Sequence, residues 1–311
     1  MLLWHVFSQV LLPILTMIGL GWLLDRGWRL DLGSLVKINI YLFVPAFIFH
    51  EVVLSSLGAG FAVRVMLFTA CILAGMFVLS AVAARLLGYE KSQTRALQLA
   101  TMFYNSGNYG VPLMALAFPQ VGPVLQVFVM LTQNISTFTV GLFLASSTRA
   151  SGRRAVGSML RQVSLWAVLT ALLVRLLDLP VTEWRWLWVP VDYLHRGLVG
   201  LALVTLGVQL SKTPVRQNFG RISWALGIRL IAGPLLAGML CGLFGFRGEQ
   251  AAVLMVSASF PTAINTALLA HEFEADAEFA AAAVFYSTLG SMLSVSCLIA
   301  FARSSAFLAL F

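Results

Sequence analysis

Charge is what this chain has least of. Its 311 residues carry 12 acidic and 20 basic side chains, 10% of the total, which is too little polar surface to cover a soluble globule of this length. Cysteine is sparse as well. Cys71, Cys241 and Cys297 fall singly inside apolar runs, without CxxC spacing, and read as small packing residues; neither a disulfide framework nor a thiolate metal site is in view. The four histidines, His5, His50, His195 and His271, show no HExxH spacing and read as interfacial or packing groups, so no metal is expected. Nothing marks a nucleotide or other cofactor site: there is no Walker motif, and the nucleophile, acid pair or metal cluster that an intramembrane enzyme needs is missing. The formal charge of +8 raises nucleic acid as a partner, but the basic residues sit in short loops and form no exposed patch.

What the chain does have is hydrophobicity: 60% of its residues are apolar and the mean hydropathy is +0.92. Apolar runs alternate with charged or Pro/Gly breaks to give ten segments, at 2–24, 33–54, 61–87, 93–117, 123–147, 158–179, 191–210, 221–243, 250–270 and 278–302. A length near 20 residues is what one helix needs to cross a hydrocarbon core of roughly 30 Å. The first segment has no Lys or Arg ahead of it and no A-x-A-like cleavage site after it, so it reads as a retained helix.

Basic residues distribute unequally among the loops. Loops 1–2, 3–4, 5–6 and 7–8 hold Arg26, Arg29, Lys37, Arg85, Lys91, Arg95, Arg149, Arg153, Arg154, Arg161, Lys212, Arg216 and Arg221, 13 in all. The opposite side holds six, and Arg229 lies within the eighth segment. This asymmetry makes the odd-numbered loops cytoplasmic and both termini periplasmic or extracellular, in a plasma membrane of bacterial inner-membrane type. A basic loop at 148–157 splits the chain into residues 1–147 and 158–311, five segments each. An odd number per half sets the halves in opposite orientation, the inverted-repeat plan that many secondary transporters use.

In such repeats the substrate site lies where helices are interrupted near the midplane. The fourth segment contains Asn105-Ser-Gly-Asn-Tyr-Gly-Val-Pro112 and the ninth Ser257-Ala-Ser-Phe-Pro-Thr-Ala-Ile-Asn265. Proline removes a helical N–H and clashes with the preceding turn, and glycine tolerates unwound dihedrals. Both segments are therefore expected to break, at or near Pro112 and Pro261. Freed backbone is tolerated at membrane depth only in contact with protein or a wet cavity. Half-helix N-termini there present N–H donors and positive dipole ends to an anion. Asn105, Gly107, Asn108, Gly110 and Asn265 are the candidate binding residues. The fifth segment adds Gln126, Thr132, Gln133, Asn134, Ser136, Thr137 and Thr139, of which Gln133 and Asn134 are the candidates to line the site and the rest are read as inter-helix hydrogen-bonding groups.

At these residues the sequence resembles the auxin efflux carrier family. NSGNYGVPLMAL is similar to that family's fourth-helix pattern of Asn followed by Gly-x-Pro-Leu, and PTAINTALLAHEFEADAEFAAAAVFYSTLGSML to its ninth and tenth helices. The resemblance implies an all-α, ten-helix protein of two inverted five-helix repeats. It also implies a scaffold domain of segments 1, 2, 6 and 7, and a transport domain of segments 3–5 and 8–10 in which segments 4 and 9 cross and move as an elevator. It further implies that Asn105 faces a substrate carboxylate and that Pro261 is the crossover proline. Tyr104 stands where the plant exporters have proline, Asn265 stands where they are apolar, and the central loop is short. The pattern is therefore closer to the bacterial members associated with malonate and malate. Small organic anions, auxin-like acids among them, are the expected substrate class. A sodium-coupled organic-acid symporter is the alternative, a cation/proton antiporter a weaker one. H⁺ or Na⁺ coupling and a homodimer stay open.

Two further readings complete the expectations. Arg229, about eight residues into its segment, is expected to snorkel toward the cytoplasmic surface rather than act on an anion. The acidic run Glu272, Glu274, Asp276 and Glu278 is expected to cap the tenth helix, and Pro13 and Pro45 to kink the first two.

Overall fold

In a computed structural model, which describes residues 4, 6–145, 157, 160–213, 219–272 and 276–311, the protein is all helical. Its helices are α1 (Phe7–Trp28), α2 (Leu32–Leu54), α3 (Ala59–Leu86), α4 (Lys91–Met102), α5 (Gly110–Ala117) and α6 (Gly122–Gly141). They continue with α7 (Val163–Leu176), α8 (Arg185–Lys212), α9 (Gly220–Phe244), α10 (Gly248–Ser257), α11 (Ile264–Glu272), α12 (Ala277–Ala302) and α13 (Ser305–Leu310). Seven of them, α1, α2, α3, α6, α8, α9 and α12, are long and apolar enough to cross a membrane. Three expected segments depart from that length: the sixth is the 14-residue α7, the fourth is divided into α4 and α5, and the ninth into α10 and α11. The loop at 148–157 apart from Gly157 lies outside the described residues, as do His5, Arg149, Arg153, Arg154, Arg216 and Glu274.

Helix ends follow local chemistry. Asp31 caps α2, accepting from the Ser34 N–H at 2.9 Å and the Ser34 hydroxyl at 2.6 Å; the hydroxyl bond holds its carboxyl below the ordinary range. Asp276 caps α12 through the Phe279 N–H at 3.0 Å and pairs with Arg221 at 2.7 Å, as the acidic run predicted for that residue. Helix α8 starts at Arg185, six residues before the expected boundary, with Pro190 inside it. So near an N-terminus a proline forfeits few intrahelical bonds.

Prolines within spans widen turns. Phe7–Leu11, Asn39–Phe43 and Ile228–Ala232 are π-helical turns, and Pro13, Pro45 and Pro234 stand two residues beyond each. A proline cannot donate to the carbonyl four residues back and crowds it; a wider turn relieves the overlap. Two of these turns place Asn39 and Arg229, both of which bear on the site.

The outer surface is apolar: Leu176, Leu243, Met239 and Leu293 are each more than 70% exposed, as befits helices whose solvent is lipid. Trp28 and Trp186, at helix ends, are exposed too, where amphipathic rings favour the interface. Helices α1, α2, α7 and α8 pack as one group, α8 along α1 and α2 along α7. In the first pair the backbones all but touch. A Cβ added at Gly207 would overlap the Ile18 carbonyl, and one at Gly21 the Val204 carbonyl. Small residues give helices in lipid the close approach that hydrophobicity cannot drive there. The remaining helices form the other group, with α3, α4, α9 and α12 meeting over Ala84, Ala96, Ala100, Ala225, Ala282 and Ala283, all buried.

Candidate functional site

Two extended strips cross at the centre. Residues 103–105, after α4, and 261–263, after α10, pair antiparallel. The Asn105 N–H donates to the Pro261 carbonyl at 2.8 Å and the Ala263 N–H to the Phe103 carbonyl at 2.9 Å. Pro261 has no N–H to offer a helix and pushes Phe260 out of helical dihedrals, so α10 ends there. The break in the other segment lies at 103–109, ahead of Pro112 rather than at it. Pro112 is the third residue of α5, a position whose N–H has no intrahelical partner in any case. The expectation of a Pro112-driven break is corrected on that ground.

Freed backbone groups at the crossing are accounted for by side chains. The Thr262 hydroxyl donates to the Ala100 carbonyl at 2.7 Å and the Ser287 hydroxyl accepts from the Thr262 N–H at 2.9 Å. Gln126, fully buried, joins the two broken segments beside the strips: its Nε2 donates to the Ser106 carbonyl at 2.7 Å and its Oε1 accepts from Ser257, the last residue of α10, at 2.6 Å. Tyr104 and Tyr109 each meet Phe260 edge to face.

Arg229 does not snorkel. It is 0% exposed, donating to the Thr101 carbonyl at 2.6 Å and to the Ala258 carbonyl, with its guanidinium 4.7 Å from the Tyr104 ring centroid. Those carbonyls terminate α4 and α10. Each helix C-terminus carries roughly half a negative charge, so two of them together balance one guanidinium with no carboxylate involved. A snorkelling stem needs a free path to the surface, and the convergence of α4 and α10 on Arg229 closes it.

Beside the crossing is a cavity of about 370 Å³, near the lower end of the roughly 300–1,000 Å³ usual for small-molecule pockets. Asn105, Gly107, Asn108, Gln133, Asn134 and Asn265, all expected from sequence, line it. Gly110 does not. A Cβ there would come 2.5 Å from Phe260 Cε2 and 2.6 Å from Gln126 Nε2, so Gly110 permits close packing at the start of α5 and is corrected from a binding to a packing residue. Pro261 contributes its carbonyl to the pairing and is not in the wall.

Sequence reasoning missed part of the wall. Asn39 of α2, Arg161 and Gln162 before α7, Ser164 of α7 and Gln209 of α8 also line the cavity. Lone polar residues near span ends carry no sequence signal that separates them from interfacial groups. Asn39 donates to Asn108 Oδ1 at 2.7 Å, linking the two helix groups, and Gln162 donates to the Asn134 carbonyl at 3.1 Å. Polar residues of α6 divide three ways. Gln126 bonds between helices, Gln133 and Asn134 face the cavity, and Thr132, Thr137 and Thr139 donate back to carbonyls four residues earlier in α6, Thr137 also lining the cavity.

Several polar atoms around the cavity are buried without a hydrogen-bond partner: Asn105 Nδ2, Asn39 Oδ1, Gln162 Oε1 and Gln209 Oε1. The Gln133 amide, near the Tyr104 hydroxyl, also forms no bond of ordinary geometry. An unmet buried donor or acceptor costs about 1–3 kcal/mol; Asn105 Nδ2 calls for an acceptor, and the three amide oxygens for water or for a ligand's own donors. Among the described residues the wall contains no Asp or Glu and one basic side chain, Arg161. The N-termini of α5 and α11 open onto the segments that line it, the second through Ile264 and Asn265. Neutral amide donors and positive helix ends, without a carboxylate, suit an anion.

The family described as "Membrane transport protein" matches residues 6–158 and, a second time, residues 147–299. The chain is 26% identical over 293 residues to an "Uncharacterized transporter" of Methanothermobacter thermautotrophicus, covering 93% of this chain and 96% of the relative. It is 25% identical over 330 residues to a protein of Rhizobium meliloti named "Putative malonate transporter", covering 96% of this chain and 97% of that one.

Proposed function

Because this chain belongs to the membrane transport protein family, that of the auxin efflux carriers, we propose that it carries small carboxylates across the membrane, binding them beside the crossing of the two broken segments. It is an integral, multi-pass membrane transporter and not an enzyme. The observation that carries the substrate class is the cavity wall, with unpaired Asn105 Nδ2, amides from α6 and no acidic side chain among the described residues. A cation or proton antiporter would require a carboxylate there.

In this reading the ten segments all span, as two inverted halves. The double family match, meeting near residue 150, supports the repeat. Helices α1, α2, α7 and α8 form the scaffold, and α3–α6 with α9–α12 form the moving part. The cavity wall is built from the ends of α2, α6, α7 and α8 that adjoin the basic loops, at Asn39, Thr137, Arg161 and Gln209. If those loops are cytoplasmic, the conformation is inward-facing. Asn105 donates to the substrate carboxylate, Gln133, Asn134, Asn108 and Asn265 complete its shell, and the Gly107 backbone allows close approach. The relative named for malonate supports a short carboxylate; substrate size fits as well, since 370 Å³ leaves room for a few carbons and ordered water.

The test is counterflow of labelled malonate in proteoliposomes. Asn105→Ala removes the side-chain donor and keeps the backbone N–H bond to Pro261, so the fold survives while affinity falls about 10- to 100-fold, the worth of one hydrogen bond to a charged group. Unchanged saturable counterflow by the variant would rule out the site.

A further inference from the structure

At the end of the helix bundle away from the cavity, α2 and α8 bring together two histidines and two carboxylates that transport chemistry does not use. His195 Nε2 lies 2.8 Å from Glu51 Oε1. His50 Nδ1 lies 3.9 Å from the same oxygen, and its Nε2 lies 3.7 Å from Asp192 Oδ1. The two imidazoles stack with centroids 3.8 Å apart, and the stack continues on both sides, Trp188 over His50 at 5.0 Å and Phe47 over His195 at 5.1 Å. The four polar side chains are 12–24% exposed, reachable from water yet held by the surrounding rings. His50 Nδ1 is buried without a hydrogen-bond partner, and so is His195 Nδ1.

We propose that His50, His195 and Glu51 form a binding site for a divalent transition-metal ion of the zinc class, clasping α2 to α8. One donor atom from each residue lies within 4.8 Å of the others. Tetrahedral zinc, with bonds of roughly 2.0–2.1 Å, needs donors about 3.3 Å apart; ring nitrogens bind in the ring plane, so the imidazoles, stacked 19° from parallel, must swing out of the stack to share one ion. Two nitrogens of one imidazole cannot serve one ion. The partnerless Nδ1 of His50 faces Glu51 and is the ligating atom, which leaves its Nε2–H to Asp192. At 3.7 Å that pair is longer than a hydrogen bond; drawn in as the ring turns, it becomes the carboxylate–histidine–metal arrangement that fixes tautomer and ring orientation. Arg196 pairs with Asp192 at 3.0 Å and keeps that carboxylate in place. Water fills the fourth position. Imidazole donors select zinc, nickel or copper over magnesium and calcium. None of this depends on what the cavity binds.

The experiment is metal titration of the purified, chelator-stripped chain in detergent, with Co²⁺ as the spectroscopic probe and Zn²⁺ as competitor. A saturable visible absorption of tetrahedral Co²⁺, displaced by Zn²⁺, and a rise in melting temperature with Zn²⁺ but not Mg²⁺ are expected. His50→Gln and Glu51→Gln, each checked for an unchanged gel-filtration profile, lower Zn²⁺ affinity at least tenfold. Absence of saturable binding, or binding that persists equally in His50→Gln and Glu51→Gln, overturns the proposal.

Discussion

Replacing Arg229 by methionine tests the account of the crossing most directly. The guanidinium donates to the Thr101 and Ala258 carbonyls at the ends of α4 and α10 and lies over Tyr104. Methionine fills much of the stem's volume and donates nothing. Two buried carbonyls then lose their partner, at about 1–3 kcal/mol each, and about 1–2 kcal/mol of cation–π attraction goes with them. Against this stands the desolvation cost of burying the cation, several kcal/mol that the variant no longer bears. The helix ends decide the balance. With the cation gone, two partial negative charges of about half a unit each face one another with no counter-charge. A net loss of at least about 2 kcal/mol is expected, several degrees of melting temperature for a chain of this size. Arg229→Lys, reaching one carbonyl, falls between. The readout is the apparent midpoint of thermal unfolding in detergent at one fixed heating rate, since such proteins unfold irreversibly. A methionine variant that melts with the wild type would refute the dipole-balance argument.

Two more predictions concern packing and motion. Gly207→Val drives a side chain into the Ile18 carbonyl and costs about 1–3 kcal/mol or more of stability because neither backbone can yield, whereas Gly19→Ala, with open space around it, is neutral or up to about 1 kcal/mol stabilising; comparison of their melting midpoints checks both. Asn39→Ala removes the hydrogen bond from α2 to Asn108, about 1 kcal/mol, and in the proposed transport cycle shifts the inward–outward equilibrium about fivefold away from the inward state. Labelling of Ser164→Cys, with Cys71 and Cys297 replaced by serine, falls accordingly; equal labelling in both backgrounds would show that this bond does not hold the conformation.

Composition determined the solvent. With 10% charge and apolar runs near 20 residues long, twice the length of a barrel strand, membrane-spanning helices are what satisfies the backbone, and helices are found within every one of those runs among the described residues, the fourth and ninth each divided in two. Asn, Gly and Pro inside two runs were enough to locate the broken segments and four of the cavity residues, because those residue types act on their own backbone; Gln133 and Asn134 came from the polar density of the fifth run. Gly110 was misplaced for the same reason: a local rule says that glycine is needed there and cannot say whether a ligand or Phe260 is what approaches.

What only the tertiary structure decided involves residues whose partners are distant in sequence. Arg229 meets Thr101 and Ala258, 128 and 29 residues away, and its isolation from water follows from that meeting rather than from its depth in α9. His50 and His195 carry no spacing motif: His195 finds Glu51 from 144 positions away, across α2 and α8. Asn39 and Gln209 enter the cavity wall only because their helices are packed beside the crossing. Periodicity and breakers fix where a chain is helical and where it stops; which unpaired polar groups then face one another is set by helix packing, to which one-dimensional pattern is blind.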